Sequence, residues 1–175
     1  MLKHINHWLD LFEKIVITTG LAMATLLLFT NVVLRYLFES GLTWALEAVQ
    51  YLFAWVVLVG AAHGVKAGIH LGIDVLVEKF SPRVQRIFAL FALFICLLFV
   101  GTVFVLSLQY IMRIYAWGDL SLDLQIPQWI PYLAIPVGLG LMFLHFLEVG
   151  WKIWRGETTT IHTHEAPHAL EELQQ

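Results

Sequence analysis

Charged residues are scarce in this sequence: ten Lys or Arg and thirteen Asp or Glu make up only 13% of 175 residues. A soluble domain carries about 25%, so an ordinary water-facing surface cannot be assembled from this supply. The net charge of -3 and the lack of a basic face argue against a nucleic-acid binder. Cys96 is the only cysteine, which excludes an internal disulfide. It sits in mid-run among apolar neighbours, where a thiol behaves as a small, protonated hydrophobe. The chain has no nucleophile beside a base, no phosphate-cradling glycine loop, no metal-ligand spacing and no internal repeat. Neither catalysis nor a cofactor is expected.

Apolar runs are what the chain has in abundance. It is 59% hydrophobic and 14% aromatic, with a mean hydropathy of +0.78. A membrane-crossing helix needs about 20 apolar residues, and four such runs occur, at about 15–34, 48–65, 87–112 and 129–147. The expected fold is therefore an all-α integral membrane protein with four transmembrane helices, forming one domain over 1–155. The first run is longer than a signal-peptide core, and bulky Arg35-Tyr36-Leu37-Phe38 stands where cleavage would need small residues, so it is read as a retained span.

Basic residues set the expected orientation. Lys3, Lys14, Lys66, Lys79, Arg83, Arg86, Lys152 and Arg155 fall in the N-terminal tail, the central loop or the C-terminal side, against Arg35 and Arg113 in the other two loops. The positive-inside rule then puts both termini and the central loop in the cytoplasm. Trp8, Trp44, Trp117, Trp129, Trp151 and Trp154 lie near the predicted span ends, and Trp55 alone lies deep.

Shorter elements complete the outline. Leu2, Ile5, Leu9 and Phe12 recur at helical spacing opposite Lys3, His7, Asp10 and Glu13, which reads as a short amphipathic helix in the cytoplasmic interface. Residues 71–80 form a less regular second candidate. Ser81-Pro82 has the N-cap and first-turn chemistry to start the third span. Pro127, Pro131 and Pro136 shape the approach to the fourth. The polar segment 156–175 has no apolar period and is expected to be disordered.

Few residues are candidates for chemistry. His63 and His70 raise the possibility of a haem-bearing anchor. Yet they lie seven apart at one end of a single run, and His145 falls toward the same side, so interfacial polar residues fit better. His162, His164 and His168 read as a solvated tail. His70 and Asp74 are four apart and would share a helical face. Gly60, Gly64 and Gly68 strip one face of the second helix, which lets another helix approach closely; whether that neighbour belongs to this chain stays open. Glu47 opens the second span beside Trp44 and Gln50, near a depth where an unpartnered carboxylate is costly. Arg35, at the same level on helix one, is its nearest partner in the chain. A group on another subunit is the alternative.

These residues also carry a resemblance. "RYLF", then "TWALEAVQYLFAWVVLVGAAHGVKAGIHLGID", then "IPQWIPYLAIPVGLGLM" resemble the small membrane subunit of tripartite ATP-independent periplasmic (TRAP) transporters, the DctQ-like family, over about Leu9 to Arg155. The matching landmarks are Arg35, Trp44, Glu47, Trp55, Gly60, His70, Asp74, Pro127 and Pro136. A basic cluster before the histidine, frequent in the family, is reduced here to Lys66. The resemblance implies a bacterial inner-membrane subunit that scaffolds a large membrane subunit, which itself holds the substrate and sodium sites. A periplasmic binding protein would deliver an organic acid to it. Asp119 and Asp123 in the outer loop are candidates for receiving that protein. The spans agree, since they have almost none of the midplane polar groups or broken repeats of a transport site. The rivals are the haem anchor and a self-contained small transporter or channel.

Overall fold

A backbone inside a bilayer must satisfy its own hydrogen bonds, and a single apolar run can do so only as a helix. The computed structural model describes residues 2–66 and 82–155; within them the regular elements are helices, joined by turns and loops at 38–44 and 118–128, with one isolated bridge, Leu120 to Pro127. The helices are α1 (Leu2–Leu37), α2 (Ala45–Lys66), α3 (Pro82–Trp117), α4 (Trp129–Tyr132) and α5 (Ala134–Arg155). Among the described residues, four helical stretches are long and apolar enough to cross a membrane: Trp8–Leu37, Ala45–Lys66, Val84–Trp117 and Trp129–Arg155. Gly68, His70, Asp74, the 71–80 segment and the tail from 156 lie outside the described residues.

The helices outrun the apolar runs. α1 and α3 have 36 residues each, about 54 Å at about 1.5 Å per residue, against a hydrocarbon core of about 30 Å. They must tilt or project. The amphipathic stretch 2–12 is the opening of α1, continuous with the first span. Two expectations for it are overturned: it is not a short helix of its own, and Glu13, assigned to the polar outer side, is fully buried. Because the helix continues without a break, that side turns onto α2 and α5, where partners for the carboxylate wait.

Local chemistry explains the ends. α3 begins at Pro82, whose missing N–H is no loss in a first turn. It ends at Gly118, which takes a φ of 71° and donates its N–H to Ile114 O at 3.1 Å. α1 stops at a left-handed residue that is not glycine: Glu39 has a φ of 48°, and the Ser40 N–H reaches back to Leu34 O at 3.1 Å. The fourth span is split at Leu133 into α4 and α5. Pro136 has no N–H for the Tyr132 carbonyl, which is where α4 closes.

Packing runs along an open row. α1 lies on α2, α2 on α5 and α5 on α3. The most apolar stretch of α5 is 44% buried, that of α1 11% and that of α3 17%, so α5 is central and the two long helices are edges. Val65, Leu93, Val100, Leu139 and Phe146 form the core cluster centred on the α3–α5 seam, and Val59, Ala62 and Leu141 pack with Leu9, Val16 and Ile17 on the other side. Glycines sit at the closest approaches. A Cβ on Gly138 would stand 2.7 Å from Leu58 Cβ and 3.0 Å from its backbone.

Candidate functional site

Buried polar residues gather at both ends of the row. At the end where α1 begins and α5 finishes, spacing does the work. Asp10 and Glu13 are three apart on α1, and His63 and Lys66 are three apart on α2, so each pair shares a helical face. The helices run antiparallel, which sets Lys66 Nζ 2.5 Å from Asp10 Oδ1 and His63 Nδ1 2.9 Å from Glu13 Oε2. α5 supplies His145, whose Nε2–H reaches the other carboxylate oxygen, Oε1, at 2.6 Å. As an ionised acceptor Glu13 requires Nδ1–H on His63 and Nε2–H on His145. One carboxylate thus ties three helices together.

The group also bears on metal and cofactor readings. Among the described residues, Asp10, Glu13 and His63 bring ligand atoms within 4.8 Å of one another. The Lys66 ammonium already sits on Asp10, and Glu13 has a nitrogen on each oxygen, so the place of a cation is taken. His63 and His145, considered above as interfacial residues or haem ligands, each give a ring nitrogen to this carboxylate.

At the opposite end Glu47 is also surrounded by donors, and Arg35 is not one of them. The Leu122 N–H donates to Oε1 at 3.1 Å, and the Asp123 and Leu124 N–H groups donate to Oε2 at 2.8 Å each. The Tyr51 hydroxyl, one turn along α2, donates to Oε1 at 2.7 Å. Three successive amides converging on one carboxylate form an anion nest. The clasp expected between Arg35 and Glu47 is absent among the described residues, because the outer loop offers fixed amides where Arg35 can extend to water. Instead α1 is tied near here by Asn31, whose Oδ1 accepts the Leu42 N–H at 2.7 Å.

The loop held by Glu47 has a defined shape. The Ser121 N–H donates to Ile126 O at 2.8 Å, and the Gln128 N–H donates to Asp119 O at 3.0 Å. Gln125, at a φ of 55°, turns the chain and donates from Nε2 to Leu122 O at 2.7 Å. Asp119 and Asp123 are exposed on its outer rim, and Leu122 between them is 88% exposed.

The remaining candidates line the flanks. Trp44 borders an almost wholly apolar groove of about 670 Å³ between α1, α2 and the loop, with Met23, Leu27, Trp55 and Ile126 among its walls. Gly60 has only Ile17 Cδ1, at 4.0 Å, near the position of a Cβ. The tight glycines of the row are Gly20, Gly138 and Gly150 instead. Reading the sequence missed Glu13, His145, Tyr51 and the amides of 122–124. The available signal for the first two was an ionisable residue near the same end of each of three spans.

Comparison with known proteins agrees with this architecture. The family described as "Tripartite ATP-independent periplasmic transporters, DctQ component" matches residues 24–156. A C4-dicarboxylate TRAP transporter small permease protein DctQ of Vibrio cholerae is 34% identical over 98% of this chain and 84% of that protein. Its Rhodobacter capsulatus counterpart is 38% identical over 86% of this chain, which spans 61% of that protein. An isethionate TRAP transporter permease protein DctMQ of Oleidesulfovibrio alaskensis is 26% identical over 81% of this chain but only 23% of its own length. Such proteins are transport components and not enzymes. With four spanning helices and a family match over most of its length, the chain belongs to the DctQ family and is a small permease subunit of a TRAP transporter in the inner membrane.

Proposed function

We propose that this chain is a scaffold: it braces the static part of a large membrane subunit whose moving part carries an organic acid inward on a sodium gradient. One observation carries the reading. The row of helices is closed by polar clasps at both ends yet leaves its edge helices largely uncovered, with Met23, Leu26 and Phe29 on α1 and Phe91, Phe94 and Leu98 on α3 all exposed. Among the described residues the buried carboxylates stand at the two ends of the row, and not at the mid-depth where a solute site would need them. The DctMQ relative, in which the matching region is 23% of a much longer chain, supports a large partner in permanent contact.

In the proposed orientation the Glu13 end and both termini face the cytoplasm, and the Glu47 loop faces the periplasm, following the basic residues. Trp44 and the groove beside it, with Arg35 and the Gly60, Gly64, Gly68 face, are the proposed contacts for the large subunit, and His70 and Asp74 are further candidates. Glu47 acts inside the chain. A periplasmic binding protein brings the solute, and the names of the relatives make C4-dicarboxylates the first class to test.

The test is reconstitution. Liposomes holding this chain and its large subunit, supplied with a loaded binding protein and a sodium gradient, are expected to accumulate succinate, while either membrane subunit alone does not. Succinate flux through this chain alone would refute the scaffold reading, and so would full uptake without it.

A further inference from the structure

The most exposed large apolar side chain at the Glu47 end is not where a membrane protein would place one for lipid. Leu122, 88% exposed, stands at the tip of the loop between two exposed carboxylates, Asp119 and Asp123. Anionic headgroups would repel that pair, and moving both acids toward the bilayer would cost their hydration. The tip is also immobilised: its own N–H and the next two are taken up by Glu47, and its carbonyl accepts from Gln125. Ordering a mobile loop at an interface costs conformational entropy, which a loop whose backbone is already held in place avoids. A fixed apolar knob flanked by acids fits an apolar pocket edged by Lys or Arg, with charge setting register and encounter rate and the knob supplying the anchor.

We infer that this tip is the docking point for the soluble binding protein, with Leu122 entering an apolar pocket rimmed by basic side chains and Glu47 acting as the positioning residue that holds the tip in shape. The inference rests on the scaffold reading above and adds to it the anchor and its strut. A loop tip is too small for a whole interface, which usually buries about 800 Å² on each partner. The large subunit supplies the remainder, so the tip sets how much binding protein is needed and leaves the maximal rate alone.

The experiment titrates the binding protein, loaded with succinate, into liposomes holding both membrane subunits. Leu122→Asp and the pair Asp119→Lys with Asp123→Lys are expected to raise its half-saturating concentration about tenfold or more. Maximal uptake and co-purification of the two subunits should stay as in the parent protein. Glu47→Gln, which replaces one acceptor oxygen by a donor, should shift half-saturation the same way, and a basic-to-acidic change in the binding protein's pocket rim should be partly rescued by Asp123→Lys. Unchanged half-saturation with Leu122→Asp would overturn the inference, as would loss of co-purification, which would put Leu122 against the large subunit. A spin label on Leu122→Cys in a Cys96→Ala background adds a further check. Relaxation by oxygen and not by a water-soluble nickel chelate, without binding protein, would assign the tip to lipid and equally overturn it. A flat titration in working liposomes removes only this inference, whereas uptake without the small subunit removes the scaffold reading beneath it.

Discussion

Glu13 and His145 stand 132 positions apart in the chain and 2.6 Å apart in the fold, joined through Oε1 and Nε2 where both side chains are almost wholly buried. His63 completes the contact from the other side with a ring 33% exposed. The asymmetry orders the consequences of mutation. Truncating Glu13 leaves His145 without its acceptor in a place water does not reach, a loss of about 1–3 kcal/mol, while His63 can turn to solvent. Glu13→Ala and His145→Ala should each lower the thermal midpoint of the detergent-purified protein more than His63→Ala does. Equal midpoints for the three variants would contradict the geometry.

The neighbouring pair should behave differently. Asp10 and Lys66 meet at 2.5 Å, but their side chains are 31% and 23% exposed. Pairs so open to water contribute about 0–1 kcal/mol. Lys66→Met is therefore expected to shift the midpoint far less than Glu13→Ala, and added salt should narrow even that difference. A large loss at Lys66 would mean that the buried centre depends on its rim.

Glycines test the helix seams. At Gly138 a methyl group would lie 3.0 Å from the Leu58 backbone, which cannot rotate away. At Gly60 the nearest atom is a flexible side-chain end at 4.0 Å. Gly138→Ala should push α2 and α5 apart and reduce folded yield, with a cost of about 1–3 kcal/mol, as overpacking usually incurs. Gly60→Ala should leave the isolated chain unharmed. If Gly60→Ala nonetheless weakens co-purification with the large subunit, the reserved space at that face belongs to the partner.

Glu39 holds a left-handed conformation, with a φ of 48°, at the stop of α1. A side chain there costs about 1–2 kcal/mol, of which glycine's greater freedom in the unfolded chain returns about 0.4–1. Glu39→Gly is expected to stabilise the protein slightly and to leave uptake as it was. A lower midpoint would show that the Glu39 side chain has a contact worth more than the strain.

Much of this fold could be read in advance. The four spans are written in hydropathy, and the entries at Pro82 and Pro136 follow from residues with few conformational options. Glu47 stands out in the sequence because a carboxylate at a span's start needs a partner. That its partners are three amides about 75 residues further on could not be inferred, since backbone donors leave no trace in residue identity. Glu13 was misplaced for a related reason. Periodicity assigned it to the side of α1 away from Leu2, Ile5, Leu9 and Phe12, but which side meets another helix depends on neighbours that sequence spacing does not arrange. The groove by Trp44 and the openness of the row are likewise products of packing order.

That order has a consequence for how the protein lives in its membrane. A palisade one post deep has two broad sides, and its outermost posts stand open to whatever lies beside them. Those outer faces are largely apolar, so a neighbour, lipid or protein, completes the burial that the chain leaves undone. The two polar knots at its ends keep the posts in sequence, and the company the palisade keeps determines how it stands.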